Sequence, residues 1–337
     1  MKIRFFNFAL VSIAVLALLQ INAVAQTRGR NTAAAGSLME SLPKSDAVVQ
    51  VKMKQLFNEA MPRILANNPA RMTQVNDSVE NFKTRTGLDP RMFDEVAVGV
   101  RFTFPGEGTA KANTVALAKG AYNSAALITA GSVAVNGKFR QEKYKDKTIY
   151  VFTLDEKITV LGVFDFRINE LAVLPLDTNT LALGDPTSIR SLIDATRASK
   201  RANAELIALA SRDPNAVIGF GANMSEQLVS SVDAIGNAPI AAELAKLRHV
   251  YGSVGTTEKD LELFIGARAM NAAAASNLGE MLRGLQELGS FFVGRMSGAR
   301  GVLAKSALTN LKIVNSADEL QIRTAVPSAD VGPLMGN

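Results

Sequence analysis

Val96, Val98, Val100, Phe102 and Phe104 are apolar at every second position, and the residues between them are small or polar. A period of two sets one side of an extended chain against a core, so this stretch predicts a half-buried strand. A different period precedes it. Met72, Val75, Val79 and Phe82 recur at steps of three and four, which predicts one apolar stripe on a helix. That helix has a start signal in Asn68-Pro69 and a stop signal in Gly87. Asp89-Pro90 repeats the start signal for a short turn. Residues 47–52 (AVVQVK) read as a strand, and residues 113–119 (NTVALAK) pair with the alternating strand as a hairpin. A helix is expected near residues 123–134. A second hairpin is expected over residues 140–154, turning near Asp146-Lys147, and residues 171–176 (LAVLPL) and 180–184 (TLALG) read as strands.

The second half runs in a similar order. Residues 215–221 (NAVIGFG) read as a strand, and Met224, Leu228, Val232 and Ile235 as a helical stripe. Residues 249–256 and 260–269 form a strand pair, and a long helix carries Leu278, Met281, Leu282, Leu285, Leu288, Phe292 and Met296. Two strands (LKIV and ELQIRT) and a short helical end follow. The openings SDAVVQVKMKQLF and PNAVIGFGANMSEQL look alike, and GDPTSIRSLID and VPSADVGPLMG fall at matching ends. This pattern predicts an α+β fold: mostly antiparallel sheets with helices packed on one side, in two related halves at residues 43–200 and 212–335.

The N-terminus follows another logic. Lys2 and Arg4 precede an apolar run from Phe8 to Leu19 broken only by Ser12, and Ala23-Val24-Ala25 offers small residues at both positions a signal peptidase reads. Residues 1–25 are expected to be a secretory signal peptide cut between Ala25 and Gln26, because the run is shorter than the roughly 20 residues that span a bilayer. Residues 26–42 read as a flexible linker, and the mature chain is expected outside the cytoplasm with no transmembrane segment.

Composition narrows the chemistry. In 337 residues there is no cysteine, no tryptophan and a single histidine, His249. Disulfides, thiolate metal sites and a cysteine nucleophile are excluded, and a lone histidine falls short of the usual zinc set. Removing Lys2 and Arg4 from the 37 basic residues leaves 35 against 31 acidic ones. That surplus is too small and too dispersed for a nucleic-acid partner.

Five segments invite a functional reading. Gly184-Asp185-Pro186-Thr187-Ser188 sits between a strand and a helix, where phosphates often bind. Asp185 as N-cap already places a carboxylate there, and Pro186 has no N–H to offer, so a self-capped turn is expected. Ser41-Leu42-Pro43-Lys44 matches a serine–lysine spacing, but Pro43 opposes the shared helical turn that this chemistry needs. His249 reads as a structural strand residue. Lys138, Arg140, Lys143, Lys145 and Lys147, diluted by Glu142 and Asp146, read as a solvated hairpin and otherwise as contacts for anionic lipid heads or envelope polymers. The 278–296 stripe, with Gly279, Gly284 and Gly289 beside it, reads as core against a sheet, and otherwise as a groove for an apolar ligand or partner helix.

At residues 86–100 (TGLDPRMFDEVAVGV) and 181–195 (LALGDPTSIRSLIDA) the chain resembles a loose group of uncharacterised bacterial exported proteins of the domain-of-unknown-function type. Their members carry a signal peptide, a strand opening like SDAVV and a strand–glycine–helix segment. The resemblance spans residues 43–200 in pattern. It implies an envelope or secreted location and carries over no reaction and no catalytic residue. The expected function is a non-enzymatic exported protein that binds or scaffolds an envelope lipid or protein. The alternative is an exported hydrolase using serine or carboxylate chemistry. No catalytic, cofactor-binding or metal-ligating residue is assigned, and no cofactor is expected.

Overall fold

A computed structural model describes residues 37–331 apart from 87–88, 107–108, 161–163, 199–200 and 234–241. The expected signal peptide, most of the linker, the helix stop at Gly87 and the stripe position Ile235 lie outside the described residues.

Among the described residues twelve strands form one antiparallel sheet: β1 (Ala47–Val51), β2 (Phe93–Gly106), β3 (Thr109–Gly120), β4 (Phe139–Tyr144), β5 (Lys147–Val160), β6 (Phe164–Pro175), β7 (Thr180–Gly184), β8 (Ile218–Asn223), β9 (Leu247–Thr256), β10 (Asp260–Ala269), β11 (Lys312–Ser316) and β12 (Glu319–Pro327). Their order across the sheet is β11-β12-β10-β9-β8-β1-β2-β3-β7-β6-β5-β4. The class is therefore α+β with antiparallel pairing. The expected plural sheets are one, because β1 and β8 pair directly, Val49 opposite Phe220. On each side of this seam the order repeats: β1-β2-β3-β7-β6 and β8-β9-β10-β12-β11, with β5 and β4 extending the first.

The alternation in β2 has the effect expected of it. Val98, Val100 and Phe102 are buried on the face that also carries Val49 and Val51 of β1. A helical stretch made of Met53–Gln55, the π-turn Leu56–Ala60 and Met61–Ile64 covers this first face. It is joined there by α1 (Pro69–Thr86) through Val75, α2 (Ser124–Ala134) through Leu127, and α5 (Glu226–Asp233) through Leu228. Asn68 and Asn123 start α1 and α2 by accepting backbone N–H bonds from Arg71 and Ala126 at 3.1 and 3.0 Å.

Packing on one side only does not hold for the first half. Val48, Ala97, Val115 and Leu117 project from the second face into another core, with Ile189 and Leu192 of α3 (Pro186–Ala198) and Leu206 and Leu209 of α4 (Ala204–Ala210). The central strands are apolar on both sides, as a sheet between two helical layers requires. Close approach is visible at Gly221 of β8, where an added Cβ would stand 2.7 Å from the Leu206 carbonyl oxygen of α4. The end of the expected linker also belongs to this layer. Residues Leu38–Ser41 form a 3-10 turn capped by Ser37, and Leu38, Met39 and Leu42 are buried. Three apolar side chains within five residues hold this segment in place.

In the second half the long helices keep to the first face. The cross-strand row Ala47, Ala222, Val250, Ala267, Leu320 carries that face from the seam outward. Its outer end packs against α6 (Ala272–Val293), which α7 (Gly298–Thr309) follows; a short α8 (Ser328–Val331) closes the described chain.

Candidate interaction surface

Helix α6 begins as a packed element. Asn271 caps it, accepting the Ala274 N–H at 2.9 Å. Ala274, Ala275, Leu278 and Gly279 then bury against Leu247, Ala267, Ala269 and Leu320. Gly279 is small for a reason: a Cβ there would lie 2.6 Å from the Asn315 amide nitrogen. That nitrogen donates to the Ala275 carbonyl at 2.9 Å, joining the helix to β11.

Beyond this anchor the helix outruns the sheet. Its 22 residues extend roughly 33 Å at 1.5 Å per residue. Met281 and Leu282 are half-buried, but Leu285, Leu288, Phe291 and Phe292 are 46%, 60%, 60% and 62% exposed. At about 100° per residue these four share an arc roughly 120° wide. Met296 and Val302 extend the exposed apolar surface through the turn into α7. The 278–296 stripe is thus core for its first turns only; its far end has no sheet beneath it.

The hairpin is nevertheless fixed. The Gln286 amide donates to the Leu308 and Leu311 carbonyls at 3.4 and 3.3 Å. Thr324 donates to the Ala307 carbonyl, Asn310 to the Ala325 carbonyl and Ser306 to the Asp330 carboxylate, each at 2.7 Å. Gly298 turns the chain with φ +73°, a left-handed conformation that favours glycine. Phe291 and Phe292 meet edge to face at 5.8 Å, and the Arg295 guanidinium lies 4.5 Å from the Phe291 ring centre. A pinned base therefore presents an apolar tip. Fully covering one such side chain is worth roughly 1.5–3 kcal/mol, so a row of them is a strong docking element.

The other segments are absorbed by the fold. Asp185 accepts the Ser188 N–H at 2.9 Å and its hydroxyl at 2.5 Å, and also the Thr114 N–H of β3 at 3.3 Å. The loop caps its own helix, as expected. Ser41 ends the 3-10 turn, Leu42 is extended, and Pro43 bridges to Arg201, so Ser41 and exposed Lys44 share no helical turn. The hairpin β4–β5 turns at Lys145-Asp146, one residue earlier than expected, with Lys145 at φ +55°. Part of its charge is paired, Arg140 with Glu170, Glu142 with Arg190 at 2.7 Å, and Lys145 with Asp194, while Lys138, Lys143 and Lys147 make no ion pair among the described residues.

His249 is mostly buried on β9, with Nε2 3.7 Å from a Glu205 oxygen. Its buried Nδ1 has no hydrogen-bond partner among the described residues. Burial pushes its pKa below the ordinary histidine value. Nearby, the second face of β9, β10 and β12 carries a charged network around an open depression of about 480 Å³. Arg268 reaches Glu205 at 3.0 Å and Glu319 at 3.4 Å, and Arg212 reaches Glu319 at 2.8 Å. Burial raises the Glu319 pKa, but hydrogen bonds from Tyr251, Gln321 and Arg212 outweigh it and hold the carboxyl below its usual range. Each arginine here already has a carboxylate, so the network satisfies itself. Among the described residues no group of three or more His, Cys, Asp or Glu is placed to hold a metal ion.

Sequence reasoning missed Phe291, Val302 and the cations beside them. The available signal was charge: between residues 288 and 317 there is no Asp or Glu. It also missed the Arg212–Glu319–Arg268 network, whose members come from three separate segments.

No family model and no curated protein matches the chain. Among solved structures it is similar to TP0453 in crystal forms III, I and IV, with TM-scores of 0.45, 0.45 and 0.43 and identities of 8%, 8% and 9%. The matches cover 90%, 90% and 89% of this chain and 99%, 98% and 96% of the other. No residue or role is transferred from this likeness. Among the described residues no helix is long and apolar enough to cross a membrane.

Proposed function

We propose that this is an exported, non-enzymatic protein of the cell envelope that docks an apolar partner, lipid or protein, on the α6–α7 hairpin. One observation carries the reading: Leu285, Leu288, Phe291, Phe292, Met296 and Val302 are exposed together on a hairpin fixed at its base. Export rests on Lys2, Arg4, the run from Phe8 to Leu19 and the Ala23-Val24-Ala25 cleavage pattern. The repeated strand order on the two sides of the β1–β8 seam is read as an internal duplication.

The test is to purify the exported chain natively, beside a Phe291→Ser/Phe292→Ser variant, and identify co-purifying lipids and proteins by mass spectrometry. A ligand or partner that stays with the native chain and is lost from the variant is the expected result. Recovery of nothing with either chain, together with turnover in a hydrolase panel, would reverse the reading. N-terminal sequencing of the exported form is expected to begin at Gln26.

A further inference from the structure

The charge around the apolar tip narrows the choice of occupant. Between residues 288 and 317 the chain carries Arg295, Arg300, Lys305 and Lys312 and no acidic residue. Arg295, Arg300 and Lys305 are exposed, and among the described residues none forms an ion pair. Several arginines elsewhere face a carboxylate: Arg140 faces Glu170, Arg190 faces Glu142, Arg212 faces Glu319 and Arg248 faces Asp318. Glu287, one turn before Phe291, and Asp330, bonded to Ser306, lie toward the base of the hairpin, and beyond residue 288 the tip combines exposed phenylalanines with a rim of cations alone.

A protein partner of ordinary composition would present both signs across such a rim. A bilayer with anionic headgroups presents one sign at the rim and hydrocarbon below it. Its geometry also suits an apolar arc flanked by cations, since the arc enters the headgroup–acyl boundary while arginine and lysine extend to the phosphates. The place of Arg295 agrees: stacked on Phe291, it travels with the aromatic ring. We infer that the α6–α7 tip docks on the surface of a bilayer containing anionic lipid, peripherally and without spanning it. The inference rests on the docking reading above and names its partner.

The full chain lacking only residues 1–25 is floated with vesicles of phosphatidylcholine alone and with about a third phosphatidylglycerol, at low and high salt. Binding is expected to the phosphatidylglycerol vesicles, weakened by salt. Loss of roughly a hundredfold in affinity is expected for Arg295→Gln/Arg300→Gln/Lys305→Gln, at about fivefold per cation. Loss is also expected for Phe291→Ser/Phe292→Ser, with circular dichroism and melting temperature unchanged in both variants. Equal binding to both vesicle types, or undiminished binding by the arginine and lysine variant, overturns the inference. So does absence of vesicle binding, and the co-purification test then separates the cases. A protein lost with the phenylalanine variant leaves the docking reading standing, and its retention removes both.

Discussion

The ring of Tyr251 on β9 fills the space above Gly266, its cross-strand partner on β10, where a side chain would otherwise stand. Tyr251 is fully buried, its hydroxyl accepts a hydrogen bond from Arg212, and Phe264 meets its ring edge at 5.7 Å. Gly266→Ala is expected to destabilise the fold by about 1–3 kcal/mol, because the ring has nowhere to retreat. Gly255→Ala on β9 is the control. Its nearest neighbour, the Ala216 Cα, is 4.0 Å away, so the change should stay within about 0.5 kcal/mol. Urea midpoints of the two variants check the contrast.

Asp89 tests a cap. Its carboxylate accepts the Arg91 N–H at 3.0 Å and Nε at 2.8 Å, with Lys83 3.5 Å away. The hydrogen bond from the Arg91 side chain holds its pKa below the usual carboxylate range, against an opposing push from burial. The stability this contributes is complete above the unfolded-state value near pH 4 and is lost as pH falls through the lower folded value. Asp89→Asn is expected to cost about 1–2 kcal/mol at neutral pH and progressively less in acid. A difference between the two chains that stays constant down to about pH 2 would contradict this account.

His249 shifts stability in a different window. Burial lowers its pKa, Arg268 and Arg248 add to the effect and Glu205 opposes it. The unfolded chain takes up this proton near pH 6.5 and the folded chain resists it, so the contribution is complete above about pH 6.5 and falls away below. Between about pH 7.5 and pH 5.5 the native chain should lose more stability than His249→Leu. Parallel urea midpoints over that range would remove histidine as the cause.

Asp185 separates a turn from an anion site. Asp185→Ala is expected to lower stability by about 1 kcal/mol, through loss of the Ser188 cap and of the bond to Thr114. Millimolar phosphate should leave the melting temperature of the native chain unchanged. A clear upward shift would show that the loop holds an anion after all.

Local rules explain which parts of this fold were legible in advance. Asn68-Pro69, Asn123 and Asp89-Pro90 act within three or four residues of themselves, and each starts the element it was expected to start. The alternation in β2 likewise depends only on which side meets the core. What escaped depends on distant partners. The Val49–Phe220 pairing joins segments about 170 residues apart and makes one sheet where separate sheets were expected. The second helical layer follows from Val48 and Val115 facing away from Val49 and Val98, a distinction that short apolar runs conceal. On α6, Leu278 and Leu288 belong to one stripe, and only the position of the sheet edge makes the first core and the second surface.

The seam between β1 and β8 has a further consequence. Both strands are short and apolar, and each supplies the other with its missing ladder. Cutting the polypeptide near residue 211 would give two fragments, each with a naked edge strand in the middle of its hydrophobic layer. Such edges recruit any extended chain in reach, including copies of themselves. Protection against aggregation at this point is therefore a matter of tethering: one backbone keeps two adhesive borders permanently occupied with each other.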